Sequence, residues 1–255
     1  MPSRNGGQAM LGYIIYGDGP KRPELGERRL LGVPFLTLSM GQPPRPHGPL
    51  ARRRALLAAR QMRERGVRSA VFPVDFPYTA LFLGQGICPV DTLPLRRALA
   101  APLTRRKLES MGLGPTQAVV AVSAQRLIRE AEDAVRSLAL SFRYVLLSAG
   151  SGGEVLAREL RREYGISLLL DPARDQLDRA DALLLYAPRP DLAGDNAVLW
   201  GLYPGGELGR GRLPLVLPAA LAEQVEPNCG REQLTAALYA LGVLPLEAVL
   251  AEIPS

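Results

Sequence analysis

From residue 118 to 186 the chain alternates short, nearly continuous apolar runs with segments of helical periodicity, and few folds satisfy that alternation. The apolar runs are 118–122, 142–148, 166–170 and 182–186. Between the first two, Ala124, Leu127, Ile128, Ala131, Ala134, Val135 and Leu138 recur at helical spacing. Strands that are apolar at every position are buried on both faces, as when helices cover both sides of a parallel sheet. The predicted fold class is therefore α/β: a parallel sheet flanked by helices at 124–140, 153–164 and about 172–179. Further strands are predicted at 197–202 and 215–217, and closing helices at about 231–241 and 245–253.

Within this pattern, Gly150-Ser151-Gly152-Gly153 joins the run 142–148 to the helix 153–164, and the next strand ends at Asp171, 21 residues after Gly150. A helix that begins in a glycine-rich turn presents free backbone N–H groups at the carboxyl end of the sheet, where a phosphate can sit. Over about 50 residues the unit resembles the Rossmann dinucleotide-binding fingerprint, in the G-x-G-G form of several NAD(P)-dependent dehydrogenases, shikimate-dehydrogenase-like proteins among them. The resemblance implies a Rossmann-like domain and a small nucleotide ligand, with NAD or NADP as the cofactor. Gly150, Ser151, Gly152 and Gly153 would then face the phosphates and Asp171 the ribose. The same residues carry a second reading. Ser151-x-x-Glu154 fits a capping box and Asp171-Pro172 fits an N-cap followed by proline, and in that case the turn closes a helix and holds no ligand.

The first half is less regular. A strand is predicted at 11–16 and a helix at 50–65 with its alanines on one face, followed by a strand at 69–74. Residues 17–49 are rich in proline and read as a long irregular loop with one strand at 34–38. Residues 76–90 read as a second loop. Asp91 opens a helix that Pro102 interrupts, and Thr104 caps another through Met111. Gly112–Thr116 then marks the predicted boundary between a basic N-terminal α/β portion, 1–115, and the Rossmann-like domain, 116–255.

Charge divides the same way. Residues 1–115 hold 18 Lys and Arg against 7 Asp and Glu, whereas residues 116–255 hold 13 against 18. Arginines at 52, 53, 54, 60, 63, 65 and 68 cluster in the basic half. They suggest an alternative function, a non-enzymatic interaction or regulatory protein whose arginine-rich face binds nucleic acid or an acidic partner protein. Aromatic residues are only 5% of the chain and none interleaves with the cluster to stack bases.

Other chemistries lack raw material. The single histidine, His47, lies in a proline-rich stretch, and the two cysteines, Cys88 and Cys229, are far apart and read as small buried hydrophobes. Ser-His-Asp catalysis, a disulfide framework and the usual zinc sites are excluded on that ground, no metal ligand set is predicted, and no residue identifies itself as catalytic. The carboxyl ends of predicted strands nominate Asp75, Tyr78, Ser123, Ser148, Asp171 and Tyr186 as neighbours of any pocket. With no secretory pattern at the start and no run near the roughly 18 apolar residues of a membrane span, a cytoplasmic location without membrane contact is expected.

Overall fold

The structure is a computed structural model that describes residues 10–20, 22–206 and 217–251. Among them the chain forms two compact units. The first runs up to Thr92 and regains the chain at 217–251; the second begins at Leu93 and runs to 206.

The first unit opens with β1 (Leu11–Gly17), β2 (Glu24–Leu30) and β3 (Val33–Gly41). Most of the predicted irregular loop is therefore an antiparallel β2–β3 hairpin, with Leu30 opposite Val33. Its two-residue turn, Leu31-Gly32, has φ of 46° and 82°, the left-handed pair that a type I′ turn needs. Charged residues on an edge strand conceal the hairpin in the sequence, because Glu24, Glu27 and Arg29 of β2 lie exposed. After α1 (Pro49–Glu64) come β4 (Ser69–Val71), α2 (Thr79–Gly84) and β5 (Cys88–Pro89), so the predicted loop 76–90 holds two further elements. The sheet order is β2-β3-β1-β4-β5, parallel apart from β2. Helix α1 buries Ala51, Ala55, Ala58, Ala59 and Met62 against this sheet's core. Contrary to expectation, Cys88 is exposed, since β5 is an edge strand, whereas Cys229 is buried.

The second unit begins with α3 (Leu93–Ser110), which runs unbroken through Pro102. An interior proline costs a helix about 3 kcal/mol. Leu95, Leu99, Leu103 and Leu108 are buried on both sides of it, and at about 1.5–3 kcal/mol for each buried side chain they outweigh that cost. The indole N–H of Trp200 donates to the buried Thr104 hydroxyl at 2.9 Å, so Thr104 serves this contact from mid-helix and caps nothing. That packing assigns α3 to the second unit and places the division at Thr92 and Leu93, ahead of the 112–116 loop expected to separate the halves.

There follow β6 (Val119–Ala124), α4 (Arg129–Ser141), β7 (Tyr144–Ala149), α5 (Gly153–Tyr164), β8 (Leu169–Leu170), α6 (Arg174–Asp178), β9 (Ala182–Leu185) and β10 (Val198–Gly201). All five strands are parallel, in the order β10-β9-β6-β7-β8, with β6 and β9 almost wholly buried and β7 buried at Val145, Leu146 and Leu147. This is the predicted parallel α/β sheet. Helix α4 starts five residues later than expected because Ala124 is still a strand residue, paired with Ala149.

The returning chain adds α7 (Ala219–Ala222), α8 (Arg231–Ala240) and α9 (Leu246–Ala251) to the first unit. Its carriage back to the N-terminal unit was not predicted. The strand expected at 215–217 lies, but for its last residue, outside the described residues, as does the end of the helix expected at 245–253. No helix among the described residues is long and apolar enough to cross a membrane.

Candidate functional site

In an open parallel sheet, ligands collect where two adjacent strands send their connections in opposite directions. In the second unit those strands are β6, which leads toward β7, and β9, which leads toward β10. Ser123 is the penultimate residue of β6 and pairs with Leu185, the last of β9. Tyr186 follows and donates its backbone N–H to the Ser123 carbonyl at 2.8 Å.

Five side chains gather around that pair: Arg97, Glu130, Tyr186, Arg189 and Asp191. Arg189 donates through Nη1 to the buried Ser123 hydroxyl at 3.0 Å, while its Nε and Nη2 form a two-pronged pair with Asp191, both at 2.9 Å. Hydrogen bonding to Arg189 holds the Asp191 carboxyl at about 2. Arg97 of α3 lies 5.9 Å from the centre of the Tyr186 ring, donates to the Leu202 carbonyl at 3.0 Å, and stands 3.7 Å from Glu130. The Tyr186 hydroxyl donates to the Glu130 carbonyl at 3.2 Å, and burial pushes its phenol well above the usual range, so it remains a proton donor. Two guanidiniums thus flank the carboxyl ends of β6 and β9, each oriented by at least one protein acceptor. Planar, fork-shaped cations held in this way suit a carboxylate or phosphate.

The predicted glycine turn lies one strand away, after β7. Gly150 closes against the loop that follows β6: its N–H donates to the Ala124 carbonyl at 3.2 Å, and Leu127 N–H donates to the Ser151 carbonyl at 3.3 Å. A β-carbon on Gly150 would stand 2.4 Å from the Gln125 carbonyl oxygen. Gly152 is the N-cap of α5 with φ of 89°, and no side chain caps the helix. The Ser151-x-x-Glu154 capping box therefore does not form, because the left-handed Gly152 takes the N-cap position itself. Gly153 is buried against Ala149, where a β-carbon would sit at 3.2 Å.

Asp171 directly follows the neighbouring strand β8, its N–H donating to the Leu147 carbonyl at 3.0 Å. Nor is it the expected N-cap. Helix α6 is capped at Ala173, whose N–H donates to the Gln176 side chain at 2.8 Å, and Asp171 adopts φ of 47°. The glycine turn and Asp171 therefore share the local strand-turn-helix-strand geometry of the fingerprint, displaced by one strand from the divergence point of the sheet.

Of the other nominated residues, Ser148 pairs with Ser123 across β6 and β7, whereas Asp75 and Tyr78 belong to the first unit. Arg97, Arg189 and Glu130 were missed. None of them belongs to a recognisable motif, and only the position of Arg189 just past a buried strand hints at a role.

The equivalent crevice of the first unit, between β1 and β4, is filled by the chain itself. Asn228 Nδ2 donates to the Tyr16 carbonyl at 2.6 Å, Val74 N–H to the Asn228 carbonyl at 2.8 Å, and Phe72 N–H to the Gln233 side chain at 2.9 Å. Nearby, the Tyr13 hydroxyl donates to Glu226 at 2.6 Å, and Arg28 pairs with the other carboxylate oxygen at 2.8 Å. Burial works to raise the Glu226 carboxyl, but these two donors outweigh it and hold the group below its usual range. Among the described residues, no group of three His, Cys, Asp or Glu is placed to hold a metal ion.

Comparison with protein families and with curated proteins finds no match. Among solved structures, the chain is similar to L-tryptophan dehydrogenase from Nostoc punctiforme, at 14% identity over 71% of this chain and 56% of that one, with a TM-score of 0.28. The chain thus spans little more than half the length of that dehydrogenase. It is also similar to the catalytic subunit of M. jannaschii aspartate transcarbamoylase, at 11% identity over 95% of this chain and 86% of that one, with a TM-score of 0.32. Neither likeness reaches beyond a general α/β architecture.

Proposed function

We propose that the second unit binds a mononucleotide, or a phosphate-bearing small molecule of similar size, along the carboxyl edge of its parallel sheet. The observation that carries this reading is the pair of guanidiniums, Arg97 and Arg189, beside Ser123 at the point where β6 and β9 diverge. The uncapped start of α5 supports it. In this reading the N–H groups around Gly152 and Gly153 contribute to the phosphate site, Gly150 and Ser151 shape the turn, and Asp171 stands on the ribose side.

The residues present fit NAD or NADP poorly. In the fingerprint, glycine lets the backbone approach a pyrophosphate. Here the open face of Gly150 is taken by the Gln125 carbonyl, and the loop 125–128 lies between the turn and the divergence point. A single phosphate needs only one of the two places.

Thermal unfolding with ATP, AMP, NAD, NADP and S-adenosylmethionine tests the proposal, since a ligand at about 100 times its Kd stabilises by about 2.7 kcal/mol. A shift with the mononucleotides that Arg189→Ala abolishes is expected. Replacing the exposed first-turn acid by Glu154→Lys should strengthen binding if phosphate lies at α5 and leave it unchanged if phosphate lies only at Arg189. No shift with any of these ligands, together with salt-sensitive RNA binding, would instead favour the exposed arginines of α1 as the functional surface.

A further inference from the structure

Helix α1 of the first unit carries five arginines and one acid, Glu64. Its buried stripe is Ala51, Ala55, Ala58, Ala59 and Met62. At about 100° per residue, Arg53 and Arg60 stand opposite that stripe and within about 20° of each other, with Arg52 on its shoulder. All three are exposed. None of the three side chains forms an ion pair or a hydrogen bond with another described residue.

Other exposed arginines of the chain are neutralised locally. Arg105, Arg129, Arg174 and Arg179 each pair with an acid four residues away on their own helix or its last turn. At that spacing Arg52 and Arg53 have only Gly48, Pro49, Leu56 and Leu57, and Glu64 follows Arg60 by four residues without pairing with it. Helix α2, which packs against α1, lies in a stretch, 76–90, that holds no charged residue. The outer face of α1 therefore keeps its positive charge available to a partner. Arg53 and Arg60 are about 10 Å apart along the helix axis. Over that length a nucleic-acid duplex carries about six phosphate charges, one per ~1.7 Å of its axis. The helix contains no aromatic residue on which a single-stranded base could stack. Nor does the face have the aromatic centre that anchors a protein partner, since its exposed apolar residues are Leu50 and Leu57 on one border.

We propose that the outer face of α1 binds the phosphate backbone of a nucleic-acid duplex, without reading its sequence, through Arg52, Arg53 and Arg60. Contacts to phosphate position a protein on a duplex but carry no base information, so affinity here follows charge and salt. The surface belongs to the first unit and does not depend on the mononucleotide reading of the second.

The test is fluorescence anisotropy of the full chain with a labelled DNA duplex of about 20 base pairs, the matching RNA duplex and one single strand, over a series of salt concentrations. A duplex Kd of about 1–100 μM at physiological salt is expected, unchanged when the base sequence is scrambled, with the duplex bound more tightly than the single strand. The tighter of the two duplexes names the source. Arg53→Gln should flatten the slope of log K against log salt by about 0.9, and the triple variant with Arg52→Gln and Arg60→Gln by about 2.7. The exposed arginine Arg161 on α5 serves as a control for net charge, and Arg161→Gln should leave the slope as it is. Arg189→Ala, which is expected to abolish the mononucleotide response, should not alter duplex binding. The proposal fails if no probe binds at about 50 mM salt, if the triple variant binds like the parent chain, or if Arg161→Gln weakens binding as much as Arg53→Gln. Tighter binding of the single strand would also overturn it. So would displacement of the duplex by polyglutamate at equal charge concentration, which would assign the face to an acidic protein.

Discussion

Asn228 donates its side-chain amide to the backbone carbonyl of Tyr16 at 2.6 Å, joining positions 212 residues apart across the carboxyl end of β1. With Val74 and Phe72 bonded to the same segment, residues 226–233 occupy the place where a ligand of the first unit would otherwise be expected.

Loosening this segment should therefore loosen β1 and β4 specifically. A β-carbon at Gly230 would stand 2.3 Å from the Phe72 carbonyl oxygen, so Gly230→Ala is expected to cost about 1–3 kcal/mol. Hydrogen exchange measured residue by residue should accelerate about tenfold or more at 11–17 and 69–71 and stay unchanged at 119–124. Equal acceleration in both regions would contradict the assignment of the segment to the first unit.

Gly150 has a structural duty that does not depend on any ligand. Gly150→Ala places a methyl group 2.4 Å from the Gln125 carbonyl oxygen and should destabilise the second unit by about 1–3 kcal/mol in urea unfolding. Gly165→Ala is a useful control, because nothing lies near its open face although its φ of 69° is left-handed. It should cost only the backbone strain, about 1–2 kcal/mol.

The hairpin turn carries removable strain. Leu31 sits at φ of 46°, where a branched side chain is disfavoured and asparagine is tolerated. Leu31→Asn, which creates the Asn-Gly pair favoured in type I′ turns, should stabilise the chain by roughly 0.5–1 kcal/mol, read as a rise in the urea midpoint.

Titration offers a direct look at the pairing beside Ser123. The Asp191 carboxyl is lowered from 3.8 to about 2, first by its hydrogen bonds from Arg189. A depressed folded-state value means that the stabilisation is complete above the unfolded value of 3.8 and is lost as pH falls toward 2. Carbon-detected NMR should place the Asp191 midpoint near 2, and Arg189→Ala should return it toward 3.8. A midpoint already near 3.8 in the parent chain would show that the fork seen with Arg189 does not persist in solution.

How much of this was legible in the sequence depends on the range of the interactions. The parallel sheet of the second unit could be read because each of its central strands is buried on both faces, so local composition alone betrays them. The glycine turn and Asp171 follow adjacent strands, a relation set within one strand-helix-strand unit. Their place in the sheet depends on strand order, which periodicity does not encode. Strand β2 was hidden by its charges, and α3 by Pro102, whose local penalty is outweighed by packing from distant residues such as Trp200. Arg97 and Arg189 come together only when α3 and the end of β9 meet, and Asn228 reaches Tyr16 only when the chain returns to β1.

That return also fixes an order of events during synthesis. The contacts closing β1 and β4 require residues 228–233, whereas the described elements of the second unit are complete by Gly201. As the chain leaves the ribosome at about 5–20 residues per second, the inserted half can mature first, while the strands made earlier wait with the carboxyl ends of β1 and β4 uncovered.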